Sequence, residues 1–159
     1  GDDERAMQLA GYALARQRQS GYAWAAADSH FIMARVAERR GDIAGAASSA
    51  RECLELAGDH RDPTSISAIL DQIARLASEC GFGDAAAKLL GAATQIEQRL
   101  GFMTGAEREA SSEVVRGHLG KDHFDAAFVA GQALTIEQAI TEALELARRV
   151  ELAERTPEQ

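Results

Sequence analysis

Between Gly83 and Gly101 the chain reads GDAAAKLLGAATQIEQRLG, and this stretch leaves little choice of conformation. Ala86, Leu89, Leu90, Ala93, Ile96 and Leu100 recur at steps of three and four residues, which draws one continuous apolar stripe along a helix. Asp84 stands where an N-cap belongs, its carboxylate able to accept the free amide protons of the first turn, and Gly101 supplies a left-handed stop. Gly91 falls in the middle, where it costs about 1 kcal/mol relative to Ala. Together with Ala87 and Ala92 it marks a place where another helix backbone comes close, so this helix is expected to pack on more than one side.

The same periodicity runs through the rest of the chain. Residues 3–19 carry Ala6, Met7, Ala10, Ala13 and Leu14 at helical spacing. A second helix is expected over 20–40, with Trp24, Ala27, Phe31 and Ala34 on one face and Tyr22, Ala25, Ile32 and Val36 widening it. Gly41 stops it and Asp42 caps a third helix, lined by Ile43, Ala46, Ala47, Ala50, Leu54 and Ala57 and ending at Gly58. Residues 59–62 are a polar link. Asp62 before Pro63 is a cap and first-turn pair for a fourth helix, striped by Ile66, Ile69, Leu70, Ile73, Leu76, Ala77 and Cys80.

Beyond Gly101 the stripes thin. Thr104 and Glu107 have the spacing of a capping box for a short surface helix containing Ala106, Ala110, Val114 and Val115 and ended by Gly120. Phe124, Ala127 and Phe128 form a compact plug up to Gly131. Thr135 with Gln138 is a second capping box, with Leu134 and Ala139 placed as a hydrophobic staple, and it opens a last helix to about residue 153. With aromatics at 5% and only 2 prolines in 159 residues, the chain favours helices joined through small side chains over a β-sandwich. The expected fold is all-α, a tetratricopeptide-like stack (an α-α superhelix) of about seven helices over 1–153, with 154–159 as a disordered tail.

A shift of 40 residues lays ARVAERRG at 34–41 over ARLASECG at 74–81; four of the eight positions are identical and a fifth exchanges Val36 for Leu76. It also lays Ala6, Ala10 and Leu14 over Ala46, Ala50 and Leu54, and with two extra residues in the turn Asp42 falls over Asp84. Helix-turn-helix units therefore repeat, over about 20–58 and 63–101, followed by capping helices over 104–153. The first helix is then the second of a unit, as in a segment taken from a longer protein.

The run AAAKLLGAATQIEQRLG, the pair Glu107 and Arg108, and LGKDHFDAAFVAGQALTIEQAITEAL carry a resemblance. Over about 34–146 the chain resembles the C-terminal tetratricopeptide-like region of large bacterial signalling-ATPase regulators, the STAND proteins of LuxR-type or MalT-like plan and their nucleotide cyclase-linked relatives. The likeness implies structural roles for Leu89, Leu90, Gly91, Ala92, Ala93, Phe124, Ala127, Gly131, Leu134 and Ala139, with Phe128 in the same plug. It carries no catalytic residue. Where such regions often have a proline-containing turn, this chain has Phe102, Met103, Thr104 and Gly105.

Several function classes find no support in the residues. Acidic groups exceed basic ones by 25 to 17, a net charge of −8, and Lys88 and Lys121 are the lysines, which serves phosphate poorly and argues against direct nucleic-acid binding. No run reaches the roughly 18 apolar residues of a membrane span, and the cytosol is the expected compartment. Cys53 and Cys80 continue apolar stripes, as buried thiols do. His118, Asp122 and His123, with Cys80, could be drawn as a metal site, but they straddle Gly120 and no second ligand pair accompanies them; no cofactor is expected. There is no GxSxG, HExxH, CxxC or phosphate loop, so an enzyme is not expected.

Tyr22, Trp24 and Phe31 are the aromatic concentration outside the plug, and first helices of repeat units line the inner surface of such stacks. A large aromatic there also packs on its own partner helix. Arg35, Glu38, Arg39 and Arg40 make a charged helix end. The expected role is a protein-interaction or sensing arm, with Tyr22, Trp24 and Arg35 facing a protein partner, another domain of the same polypeptide above all. An oligomerisation module, which would form a homodimer, and a helical small-molecule or metal-dependent enzyme are the alternatives.

Overall fold

The computed structural model describes residues 2–20, 25–101 and 105–155. Among these are eight helices and no strand: α1 (Asp2–Ser20), α2 (Ala26–Arg39), α3 (Ile43–Asp59), α4 (Pro63–Glu79), α5 (Gly83–Arg99), α6 (Ala106–Leu119), α7 (Lys121–Gln132) and α8 (Ile136–Arg155). The sequence suggests about seven, although the segments it marks out, with Gly120 already separating two of them, number eight; α8 continues through Arg155, two residues into the expected tail. The second helix starts at Ala26 rather than near Ser20, which closes α1 instead.

The helices lie in two rows. One runs α2, α4, α6; the other runs α3, α8, α5, α7, with α8 set between α3 and α5 and α1 against α2. The rows meet where helices consecutive in the chain pack on each other, and α4 touches α2, α3, α5, α6 and α8. A helix covered from so many sides is buried nearly all round, and Ile66, Ile69, Leu70, Ile73, Leu76 and Ala77 form the middle of the core.

One turn recurs at a fixed interval. Gly41, Arg61, Gly81 and Gly101 have φ of 75°, 53°, 80° and 79°, twenty residues apart each time. At the first three, the amide two past the cap returns to the carbonyl five residues back: Asp42 to Ala37 at 3.0 Å, Asp62 to Ala57 at 3.0 Å and Phe82 to Ala77 at 2.8 Å. This is the Schellman closure of a helix C-terminus, completed by the bonds from Gly41 to Glu38, Arg61 to Gly58 and Gly81 to Ser78. The segments 34–41 and 74–81 thus end equivalent helices.

The same geometry corrects the reading of α5. Phe82 occupies the cap and Asp84 lies inside the first turn with no capping hydrogen bond, because the turn has no extra residues and Asp42 corresponds to Phe82. Asp84 contributes only its charge near the helix N-terminus. Likewise α3 does not stop at Gly58 but runs to Asp59, with Arg61 taking the left-handed position. Asp42 and Asp62 do cap, accepting from Gly45 N at 2.9 Å and from Thr64 N at 3.1 Å.

Gly91 sits at the closest helix contact. A Cβ there would overlap the Phe128 carbonyl oxygen and lie 2.9 Å from its carbon, while one on Gly131 would overlap the Lys88 carbonyl oxygen and lie 2.7 Å from its carbon. Gly131 is therefore a buried contact residue inside α7, not the stop expected there, and it faces Gly91 across two backbones. Leu89, Leu90 and Phe124 are buried and Phe128 and Leu134 pack against the same core, Phe124 and Phe128 stacking at 5.5 Å between centroids. The box at α8 forms as expected: Thr135 N donates to Gln138 Oε1 at 2.9 Å and Gln138 N to Thr135 Oγ1 at 3.2 Å.

Candidate functional site: a charged cleft between α2, α4 and α6

The helix α6 is held by polar contacts. Its buried residues are Arg108, Ser111 and Val115, whereas Ala106, Ala110 and Val114 face outward, because one apolar side chain in each turn is too few to turn that face inward. At its start Gly105 takes the cap position without a side-chain bond and Glu107 accepts from Arg35; Thr104, the other half of the expected capping box, lies outside the described residues.

Opposite α6, the helix α4 presents Asp71 and Gln72 between Leu70 and Ile73, all buried. Asp71, only 6% exposed, lies between two guanidinium groups. Arg75 pairs with it one turn away on α4, and Arg108 Nη1 faces its Oδ1 at 3.6 Å, too long for a hydrogen bond but close enough for direct attraction. Ser111 Oγ donates to Asp71 Oδ2 at 3.2 Å. Burial pushes the Asp71 carboxyl above its ordinary value, against the pull of Arg108 and Arg75. For Arg75 burial works against the charged form, yet the hydrogen bonds and charge of Glu38 and the charge of Asp71 leave its pKa raised.

From this centre the network spreads over four helices. Arg75 grips Glu38 of α2 with two parallel bonds, Nε to Oε1 at 2.9 Å and Nη2 to Oε2 at 3.1 Å, and Gln72 Nε2 reaches the same Oε2 at 3.1 Å. Arg108 Nη2 donates to Glu97 of α5 at 2.7 Å and to the Ser67 carbonyl at 3.1 Å. Nearer solvent, Arg35 Nη1 donates to Glu107 Oε1 at 2.6 Å, which holds the Glu107 carboxyl below its ordinary value, and Arg39 is bound to Asp3 of α1.

Above these pairs opens a cleft of about 300 Å³, lined by Arg35 and Arg39 on one side and Glu107, Ala110 and Val114 on the other, with Glu38, Arg75 and Ser111 between. Val114 is 50% exposed. The inner pairs are shielded and rigid; the outer ones, Arg35–Glu107 and Arg39–Asp3, are exposed and exchange readily with another carboxylate, since such pairs are worth about 0–1 kcal/mol.

Of the residues singled out from sequence, Arg35 lies on this cleft, whereas Tyr22 and Trp24 fall outside the described residues. Phe31 is half-buried against the core, with the Arg35 guanidinium 5.9 Å from its ring centre. Asp71, Gln72, Glu97 and Ser111 have no sequence signal: each is a polar residue beside the apolar stripe of its helix, on α4, α5 or α6. His118 Nδ1 lies 3.0 Å from Ser78 Oγ and ties α6 to the end of α4; the pair is not arranged for nucleophilic attack, since Ser78 is buried and no carboxylate orients His118 among the described residues. Among the described residues no three His, Cys, Asp or Glu side chains converge as metal ligands, no helix is long and apolar enough to cross a membrane, and both cysteines are free.

Fold and site together define an all-α domain of two helix rows with a charged cleft on the first. Compared with protein-family models, curated proteins and solved structures, the chain matches none.

Proposed function

We propose that the chain is the protein-interaction or sensing arm of a multidomain transcriptional or signalling regulator, a tetratricopeptide-like stack that receives a protein partner or another domain of the same polypeptide on the α2–α4–α6 face. The observation that supports this reading is the cleft itself. Two exposed guanidinium forks, Arg35 and Arg39, stand one turn apart beside the outward-facing Ala110 and Val114, over an interior where three carboxylates, Glu38, Asp71 and Glu97, face two guanidinium groups, Arg75 and Arg108. A partner can take over the outer pairs without leaving a buried charge alone, which is the costly outcome at an interface. Contacts between tethered domains need little affinity, because tethering raises the effective concentration to about the millimolar range.

The resemblance to signalling-ATPase regulators names the probe. The nucleotide-binding ATPase domain is titrated into the 159-residue chain, following the fluorescence of Trp24, the single tryptophan. A saturating response that Arg35→Glu weakens supports the reading. Tight, salt-sensitive binding of duplex DNA with no response to the domain refutes it.

A further inference from the structure

On another side of the molecule, where the first turns of α2 and α4 meet the end of α3, two cavities adjoin. The larger, about 320 Å³, is walled by Ala27, Leu56 and Ala57 and rimmed by His60 and Asp62. The smaller, about 170 Å³, is floored by Phe31, Cys53 and Ala68 and rimmed by Thr64. Asp28 and Ser65 line both. Together they reach the range of about 300–1,000 Å³ usual for small-molecule pockets, and they have its composition of apolar walls with a few converging polar groups.

The charge on these walls has one sign. Asp28 and Asp62 carry carboxylates, and no lysine or arginine lines either cavity among the described residues. Asp62 is occupied in capping α4, accepting from Thr64 N, Ser65 N and Ser65 Oγ. The Asp28 carboxylate, at the junction of the two cavities, has no hydrogen bond or ion pair among the described residues. Both charges reach inward: the Cys53 thiol is pushed up to about 12, by burial first and then by Asp28 and Asp62. A cavity of about 150 Å³ with apolar walls accommodates a benzene ring, so the smaller cavity has room for one ring.

We propose that this pair of cavities is a binding site for a small primary amine bearing one aromatic ring, the ammonium on Asp28 and the ring against Phe31, Cys53 and Ala68. Asp28 supplies the charge-assisted hydrogen bond and Asp62 adds to the field. Ser65, shared by both cavities, is a second polar contact at the junction. The site is separate from the α2–α4–α6 cleft, and its ligand is recognised whether or not that cleft takes a protein.

The test is calorimetric titration of the 159-residue chain with 2-phenylethylamine, and with 3-phenylpropionate as a probe of the same ring and opposite charge. The expected result is saturable binding of the amine and none of the carboxylate. Asp28→Asn, an exposed substitution, should weaken the amine by up to roughly fivefold, and Ala68→Leu should fill the ring cavity and abolish binding while the circular-dichroism melt stays cooperative. If Ala68→Leu fails to fold, Asp28→Asn decides alone. Absence of saturable amine binding up to millimolar concentrations, equal binding of the carboxylate, or an Asp28→Asn variant that binds as wild type would each overturn the proposal.

Discussion

Replacing Gly91 by alanine should destabilise the protein even though alanine is the better helix former. In an open helix interior the exchange gains about 1 kcal/mol. Here the new methyl meets the α7 backbone: it overlaps the Phe128 carbonyl oxygen, and the carbonyl carbon at 2.9 Å and Gln132 N at 3.2 Å are both inside the 3.4 Å where ordinary contact begins. No side-chain rotation relieves a clash with backbone, so α7 has to move as a body, taking the Phe124–Phe128 stack with it. Overpacking of this kind costs about 1–3 kcal/mol, and because the distances here are extreme the upper part of that range applies. The net expectation is a loss of roughly 1–2 kcal/mol after the propensity gain, or about 2–8 °C in Tm for a chain of this size. Gly131→Ala should behave alike. Gly11, in the middle of α1 with nothing within 4 Å, is the control, and its alanine variant should gain up to about 1 kcal/mol. Urea unfolding followed by circular dichroism, with unchanged m-values, gives the comparison. If Gly91→Ala and Gly11→Ala shift stability equally in the same direction, the close approach of α5 and α7 is not what glycine serves at position 91.

Three further outcomes are expected. Arg61 holds a left-handed conformation that a side chain disfavours, so Arg61→Gly should stabilise by roughly 0.5–1 kcal/mol in the same denaturation assay. Asp71→Asn removes a carboxylate whose burial cost outweighs the pull of Arg108 and Arg75, so at pH 7 it should cost less than the roughly 3–5 kcal/mol of an ordinary broken buried pair. Because the folded Asp71 carboxyl lies above its reference value of 3.8, the native state binds the proton more tightly than the unfolded chain; the wild type's advantage over Asp71→Asn should therefore widen as the pH falls toward 3.8, read as the difference between urea midpoints across pH. Burial raises the Cys53 and Cys80 thiols to about 12 and about 11, so both should react sluggishly with a thiol-disulfide reagent at pH 8, half-buried Cys80 ahead of Cys53, and unfolding should equalise them.

What was legible in the sequence is what depends on near neighbours in the chain. Apolar spacing located the helices, Thr135 and Gln138 form the box their spacing implied, and Gly91 marked a close crossing because glycine inside a strong helix has a local cost with no local reason. The turn repeat was half visible. Gly41 and Gly81 stood out, but Arg61 hid the turn between them, since a positive φ on arginine leaves no compositional trace. That gap also let Asp84 pass for a cap: without the intermediate turn, the register of α5 rested on a plausible aspartate rather than on Gly81. The charged network was illegible for a different reason. Whether Asp71, Gln72 and Arg108 are solvated or buried depends on α4 having neighbours on every side, a property of the packing that no local spacing encodes. Arg35 was picked out for its place at a helix end and proved to stand at the cleft beside Glu107, a residue 72 positions away in the chain.

The even spacing of the turns from Gly41 to Gly101 determines which changes in chain length this architecture can absorb. Excising 40 residues between equivalent points of the turns at Gly41 and Gly81 removes α3 and α4, one helix from each row, and joins like to like, so α5, α6 and α7 keep their rows, although α8 loses both helices as neighbours and Arg108 loses Asp71. Excising 20 also rejoins two competent turns, yet it transfers each later helix to the opposite row and directs residues such as Asp71 and Arg108 at the wrong neighbours. Copy number can therefore drift in pairs of helices, while a single-helix change is locally seamless and globally inverted.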